Sequence, residues 1–154
     1  MQQKTHVEAA ENKQEIVITR QFNLPIELLF KAYVEKDLVA QWMGTKVIKL
    51  DSHNHGSYIF ETTDPMGNIH RFNGTIHDIE VNQKITRTFE MENTSFPVQL
   101  EFLTFESMET NASKLTMKII FKSLEDRDNM FKLPFAYGIN MAHNRLEQLF
   151  NQQN

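Results

Sequence analysis

Arg87 stands among apolar residues in a way that invites chemistry. In Ile85-Thr86-Arg87-Thr88-Phe89-Glu90-Met91 the odd positions form the apolar set, so a strand here turns the guanidinium to the side of Ile85, Phe89 and Met91. If that side faces inward, an unpaired charge there is very costly and Arg87 must find a partner. A ligand carboxylate or phosphate held bidentately is one such partner, and an internal Asp or Glu is another. Near a strand end the side chain would instead reach water along its aliphatic stem.

The six histidines raise the question of metal. His53 and His55 are two apart and project to one side of an extended segment, with Asp51 as a further donor. A stable site needs a third and usually a fourth ligand. His70 and His77, seven apart, face opposite sides in regular strand geometry, and no known metal spacing is matched, so no metal is expected. His77, Asp78 and Tyr137 could supply acid–base chemistry in a cavity, although His77 and Asp78 also point to opposite faces in regular pairing. His143, beside Ala142 at the edge of a helical apolar stripe, is expected to meet solvent. There is no nucleophile elbow and no Gly-rich phosphate loop, so no catalytic residue and no cofactor are assigned, and the chain leans away from being an enzyme.

Composition narrows the classes. At 154 residues, 40% of them hydrophobic and 23% charged, the chain fits one globular domain with a real core. The absence of cysteine excludes disulfides, thiol catalysis and thiolate metal sites. A formal charge of -4 without a run of Lys or Arg argues against a nucleic-acid partner. No apolar run is long enough to span a bilayer, and the N-terminus lacks secretory-signal regions, so a cytoplasmic protein is expected. Twelve Phe and eight Met suit a cavity for a lipophilic guest, or an ordinary core.

The elements that must position these residues follow from periodicity. Residues 1–13 are polar and read as a mobile tail, followed by a single domain over 14–154. A strand carrying Ile16, Ile18, Arg20 and Phe22 precedes a helix opened by Pro25, with Leu28, Leu29, Ala32 and Tyr33 on one face. A second short helix, capped by Asp37, carries Leu38, Val39 and Trp42 and ends at Gly44. From Thr45 to about Lys122 the period becomes two. Tyr58 and Phe60 alternate with Ile59 and Glu61; Val98, Leu100 and Phe102 with Gln99 and Glu101; Leu115, Met117 and Ile119 with polar residues, leaving Ile120 as an outward apolar entry. Asp64-Pro65-Met66-Gly67-Asn68 and Val81-Asn82-Gln83-Lys84 read as turns, and Gly74 as a bulge or bend. Phe135, Ile139, Ala142, Leu146, Leu149 and Phe150 form a closing helical stripe, with Pro134 starting or kinking that helix after a turn near Asp126 to Phe131.

Thr19-Arg20, Phe22, Leu24-Pro25, Phe30, Ala32, Trp42, Gly56, Gly74, Thr88, Leu115, Gly138 and Arg145-Leu146, in this order and spacing, carry a resemblance. From about Ile16 to Phe150 the chain resembles the START-related (SRPBCC) superfamily, which includes lipid-transfer domains and polyketide cyclases. Within it the chain looks like the branch named after the activator of the ninety-kilodalton heat-shock-protein ATPase. The resemblance implies an α+β helix-grip fold: a curved antiparallel sheet of about seven strands around a long C-terminal helix, with two short helices after the first strand. It also departs from the branch, with Met43-Gly44-Thr45 after Trp42 in place of a second tryptophan, then glycine and proline. His55-Gly56 stands for a Gly-Gly pair, and Ile139 for an aromatic.

Residues and resemblance together lead to the expectation of a hydrophobic or amphipathic small molecule bound between sheet and C-terminal helix. Its lining would be Trp42, Phe60, Phe72, Ile76, Phe89, Phe102, Met117, Phe135 and Ile139, with Arg87 at a polar head. Trp42 would cap the mouth or anchor the core. A cyclase- or hydrolase-like enzyme and a protein-interaction or co-chaperone-like module stand as alternatives, and a homodimer is left open.

Overall fold

The computed structural model describes residues 4–151; the first three positions of the expected tail and the last three of the expected domain lie outside the described residues. The order is β1 (His6–Glu8), β2 (Glu15–Phe22), α1 (Ile26–Val34), α2 (Lys36–Met43), β3 (Lys46–Leu50), β4 (Ser57–Thr63), β5 (Ile69–Glu80), β6 (Lys84–Met91), β7 (Gln99–Glu109), β8 (Ala112–Ile120), α3 (Leu124–Phe131) and α4 (Phe135–Asn151). The strands form one antiparallel sheet in the order β1-β2-β8-β7-β6-β5-β4-β3. This is the α+β helix-grip fold, a curved open sheet with α4 as its long helix. Among the described residues it has eight strands where about seven are expected.

The extra strand lies in the segment that reads as a tail. Its polar composition hides three anchors, two of which come from far along the chain. The Thr5 backbone N–H donates to Asn140 Oδ1 on α4 at 3.1 Å. His6–Glu8 pairs with Val17–Thr19 of β2. Arg127 of α3 donates through NH1 to the carbonyl oxygens of Ala10 and Lys13. A short polar strand at a sheet edge makes no periodic apolar signal, so the sequence cannot display it.

Local chemistry accounts for the element ends. Gly44 adopts the left-handed conformation (φ 62°) that closes α2. Asp37 lies in the first turn of α2 rather than at its cap, which is Glu35. Ser123 caps α3 by accepting from the Asp126 N–H at 3.1 Å, so Asp126–Phe131 is helix and Pro134 immediately precedes α4. Asp64 Oδ1 accepts from the N–H groups of Met66 and Asn68 within the β4–β5 turn. Gly74 is not a bulge. A Cβ there would collide with the Thr88 carbonyl oxygen and the Tyr58 side chain, while the irregularity of the β5–β6 pairing falls between Ile76 and Asp78.

The core gathers on the concave face. Ile16, Ile18 and Phe22 from β2, Leu103 and Phe105 from β7, and Leu115, Met117 and Ile119 from β8 are all buried there. Phe30 and Tyr33 of α1 meet Phe105 edge-on at 5.1 and 5.7 Å between centroids. Trp42 lies 5.1 Å from the Tyr33 ring and donates its indole N–H to the Ala32 carbonyl at 2.8 Å. Among the described residues no helix is long and apolar enough to cross a membrane.

Candidate functional site

Between the sheet and the N-terminal half of α4 lies a cavity of about 200 Å³. Its sheet wall is Ile18, Met117, Ile119, Phe89, Arg87, Gln99 and Glu101; its helical wall is Tyr33, Trp42, Met43, Phe135, Ile139 and Ala142. A second space of about 160 Å³ shares Met43 and Phe89 and is completed by Thr45, Phe60, Thr62 and Phe72. The walls are apolar except on one side, where β6 and β7 bring an ion pair inward.

That pair is Arg87 and Glu101, register partners across β6 and β7. Arg87 Nε donates to Glu101 Oε1 at 2.8 Å, and Gln99 Nε2 donates to Glu101 Oε2 at 2.7 Å. Both carboxylate oxygens are therefore engaged. The terminal nitrogens of Arg87 make no hydrogen bond among the described residues. The guanidinium carbon lies 5.6 Å from the Tyr58 ring and 6.0 Å from the Tyr33 ring. Burial works against the Arg87 charge, but Glu101 outweighs it and holds Arg87 protonated more firmly than a free guanidinium. Burial also raises both tyrosines above the ordinary phenol range, Arg87 opposing this and Glu101 reinforcing it.

The residues singled out from sequence divide into three groups. Trp42, Arg87, Phe89, Met117, Phe135 and Ile139 line the larger cavity, and Phe60 and Phe72 join Phe89 around the smaller one. Ile76 is packed into the core and borders neither space. Phe102 is a correction: it lies on the outer face, 37% exposed. In β7 the inward set is Gln99, Glu101, Leu103 and Phe105, so the even-numbered apolar residues Leu100 and Phe102 point away. Two apolar alternations overlap in this strand. The pair Leu103 and Phe105, with Arg87 seeking a partner, is the signal that could have chosen the right phase.

The acid–base candidates lie elsewhere. His77 is exposed at the strand irregularity, Asp78 pairs with Lys84 at 2.8 Å, and Tyr137 is 62% exposed. His55 sits 6.4 Å from the His77 ring, while His70 is 2.9 Å from Asp64. Among the described residues no three His, Asp or Glu side chains gather to hold a metal ion.

His143 is the second correction. It is fully buried rather than solvent-facing, because α4 also turns Asn140, His143 and Glu147 inward beneath β1 and β2. Thr5 Oγ1 lies 2.9 Å from His143 Nδ1 and accepts from Arg20 NH1 at 3.1 Å. Arg20, only 2% exposed, also donates to Asn144 Oδ1 at 2.8 Å and meets Glu147 Oε2 at 3.4 Å. Its Nε is buried and has no partner among the described residues. The Tyr33 hydroxyl stands 3.5 Å from His143 Nε2 and connects this cluster to the cavity wall. Burial, aided by the Arg20 charge, pushes His143 down to about 3, so the imidazole is neutral at pH 7.

Comparison with known proteins agrees with this architecture. A family model described as "Activator of Hsp90 ATPase homolog 1-like protein" matches residues 23–151. A crystal structure from Rhodobacter sphaeroides superimposes with a TM-score of 0.87 at 17% identity, covering 97% of this chain and 99% of that one. A crystal structure from Mycobacterium smegmatis gives a TM-score of 0.84 at 18% identity, with 94% and 95% covered. A solution structure from Staphylococcus epidermidis gives 0.81 at 23% identity, with 96% and 94% covered. At these identities the likeness is one of fold. No curated protein matches the chain.

Proposed function

The chain belongs to the Activator of Hsp90 ATPase homolog 1-like family, within the START-related superfamily, and from that premise we propose that it binds a small, largely apolar molecule between its sheet and α4. One observation carries this reading. A guanidinium whose two terminal nitrogens have no partner among the described residues faces a space walled by Phe, Met, Ile and Trp side chains. A packed core gains nothing from such a group, whereas an amphipathic guest would meet it with its polar end. Phe89, Met117, Phe135 and Ile139 would contact the apolar body, and Phe60 and Phe72 would extend that surface.

Native mass spectrometry on protein purified from its own host tests the reading. A stoichiometric small molecule is expected, and the double variant Arg87→Met with Glu101→Leu should lose it while leaving no unpaired charge behind. A clean apo mass, together with a cavity that takes up no apolar probe, would overturn the proposal. A contact module for a protein partner, co-chaperone-like or a second copy of the chain, has a separate observation in its favour. Leu100 lies opposite Ile120 on the outer face, beside Phe102 and Val98. Sedimentation of the wild type and of Phe102→Lys checks it for self-association, which the variant should abolish.

A further inference from the structure

The hydrogen bonds behind the cavity have a direction, and it reaches the cavity wall. Arg20 can only donate, so Thr5 Oγ1 accepts from it at 3.1 Å. The Thr5 hydroxyl proton then needs an acceptor, and the group in reach is His143 Nδ1 at 2.9 Å. A neutral imidazole that accepts at Nδ1 carries its proton on Nε2. That proton points toward the Tyr33 oxygen, 3.5 Å away. Tyr33 therefore receives at its oxygen, and its own O–H has no acceptor among the described residues.

The polar atoms that remain open around the cavity are thus mostly donors. They are the Tyr33 O–H and the two terminal nitrogens of Arg87, with Gln99 Oε1 as the opposing acceptor. Glu101 receives Arg87 on one oxygen and Gln99 on the other and keeps lone pairs beyond these, so the donors still outnumber the acceptors. Size adds a second limit: at about 200 Å³ the space is close to the roughly 150 Å³ of a cavity that holds benzene.

We propose that the ligand is a ring-sized apolar molecule ending in a hydrogen-bond acceptor, a carbonyl or carboxylate oxygen, received jointly by Tyr33 and Arg87. Thr5 and His143 are positioning residues that hold the phenol in its donating sense. This rests on the cavity-binding reading above and gives it a chemical class. A ligand ending in an amine leaves the donors of Tyr33 and Arg87 unanswered.

The test uses the intact chain and three probes of similar size, acetophenone, ethylbenzene and benzylamine, titrated by NMR. Acetophenone should bind about tenfold more tightly than ethylbenzene, because a hydrogen bond to a charged donor adds at least that much. Benzylamine should bind weakest. Tyr33→Phe should reduce the preference for the ketone while leaving ethylbenzene affinity within about threefold. Long-range ¹⁵N spectra of the wild type should show His143 protonated at Nε2; Thr5→Val should release that tautomer and weaken the ketone preference, and Thr5→Ser should retain both. An Nδ1-protonated His143, or ethylbenzene binding as tightly as acetophenone, overturns this inference and leaves cavity binding standing. Failure of all three probes to bind overturns the cavity reading as well.

Discussion

At the scale of the residue, Arg87 and Glu101 decide what the cavity can be. Each is affordable inside only because of the other, since an ion stripped of water and left alone is far costlier than a paired one. Glu101→Ala should therefore lower stability by about 3–5 kcal/mol, measured by urea denaturation, because Arg87 remains buried without its carboxylate. Arg87→Met combined with Glu101→Leu should recover most of that loss. If the single and double variants are equally unstable, the pair is not the source of the cost. Arg87 could be identified as a candidate from its place in an apolar alternation. Its partner is harder to see, because Glu101 shares a strand with Leu100 and Phe102, whose spacing argues for the opposite face, and only Leu103 and Phe105 argue for the phase that turns it inward.

At the scale of the element, β7 shows how one strand can carry two patterns of equal appearance. A slip of one residue sends every side chain to the other face, so the choice is all or nothing. Here Phe105 lies in the core beside Phe30 and Tyr33, while Phe102 lies outside, opposite Lys118. Phe105→Ala should cost about 3–5 kcal/mol as a large-to-small change in the core. Phe102→Thr should change stability by no more than about 0.5 kcal/mol, as surface replacements do. Thermal or urea unfolding of the two variants checks the phase, and equal losses would contradict it. Of the helices, α3 shows in the sequence only as a turn, whereas α1, α2 and α4 are easier to read. Their signals are local: Pro25 before α1, Gly44 closing α2, and a stripe with a period near 3.6 along α4.

At the scale of the whole molecule, His143 links β1, β2, α1 and α4 into one titrating unit. Around it stand Thr5 from the segment leading into β1, Tyr33 from α1 and the charge of Arg20 from β2, with Asn140 and Glu147 of its own helix bonded to Thr5 and Arg20. Burial and the Arg20 charge depress its pKa to about 3 in the folded state, against 6.5 when free. The unfolded chain thus binds a proton that the folded one refuses, and stability must rise with pH through this interval. The contribution is complete above about pH 6.5 and is lost as pH falls toward 3, at about 1.4 kcal/mol for each pH unit. Urea midpoints between pH 6.5 and 5, above the main carboxylate range, should fall in the wild type and stay nearly level in His143→Gln. A wild-type midpoint that does not move would show that His143 is not held neutral by the fold.

The sequence by itself determined the class of the fold and the order of most elements, and it set Arg87 within an apolar alternation without deciding which way that face turns, because periodicity and turn chemistry act between residues a few positions apart. It also indicated part of the cavity's apolar wall, Trp42, Phe89, Met117, Phe135 and Ile139, since those residues recur at strand and helix spacing. Only the tertiary structure decided the strand at His6–Glu8, the phase of β7, the burial of His143 and the convergence of Thr5, Arg20 and Tyr33 upon it. These depend on pairings between groups as far apart in the chain as Thr5 and His143. A polar residue looks the same in sequence whether its partner is water or a side chain brought from the opposite end of the chain.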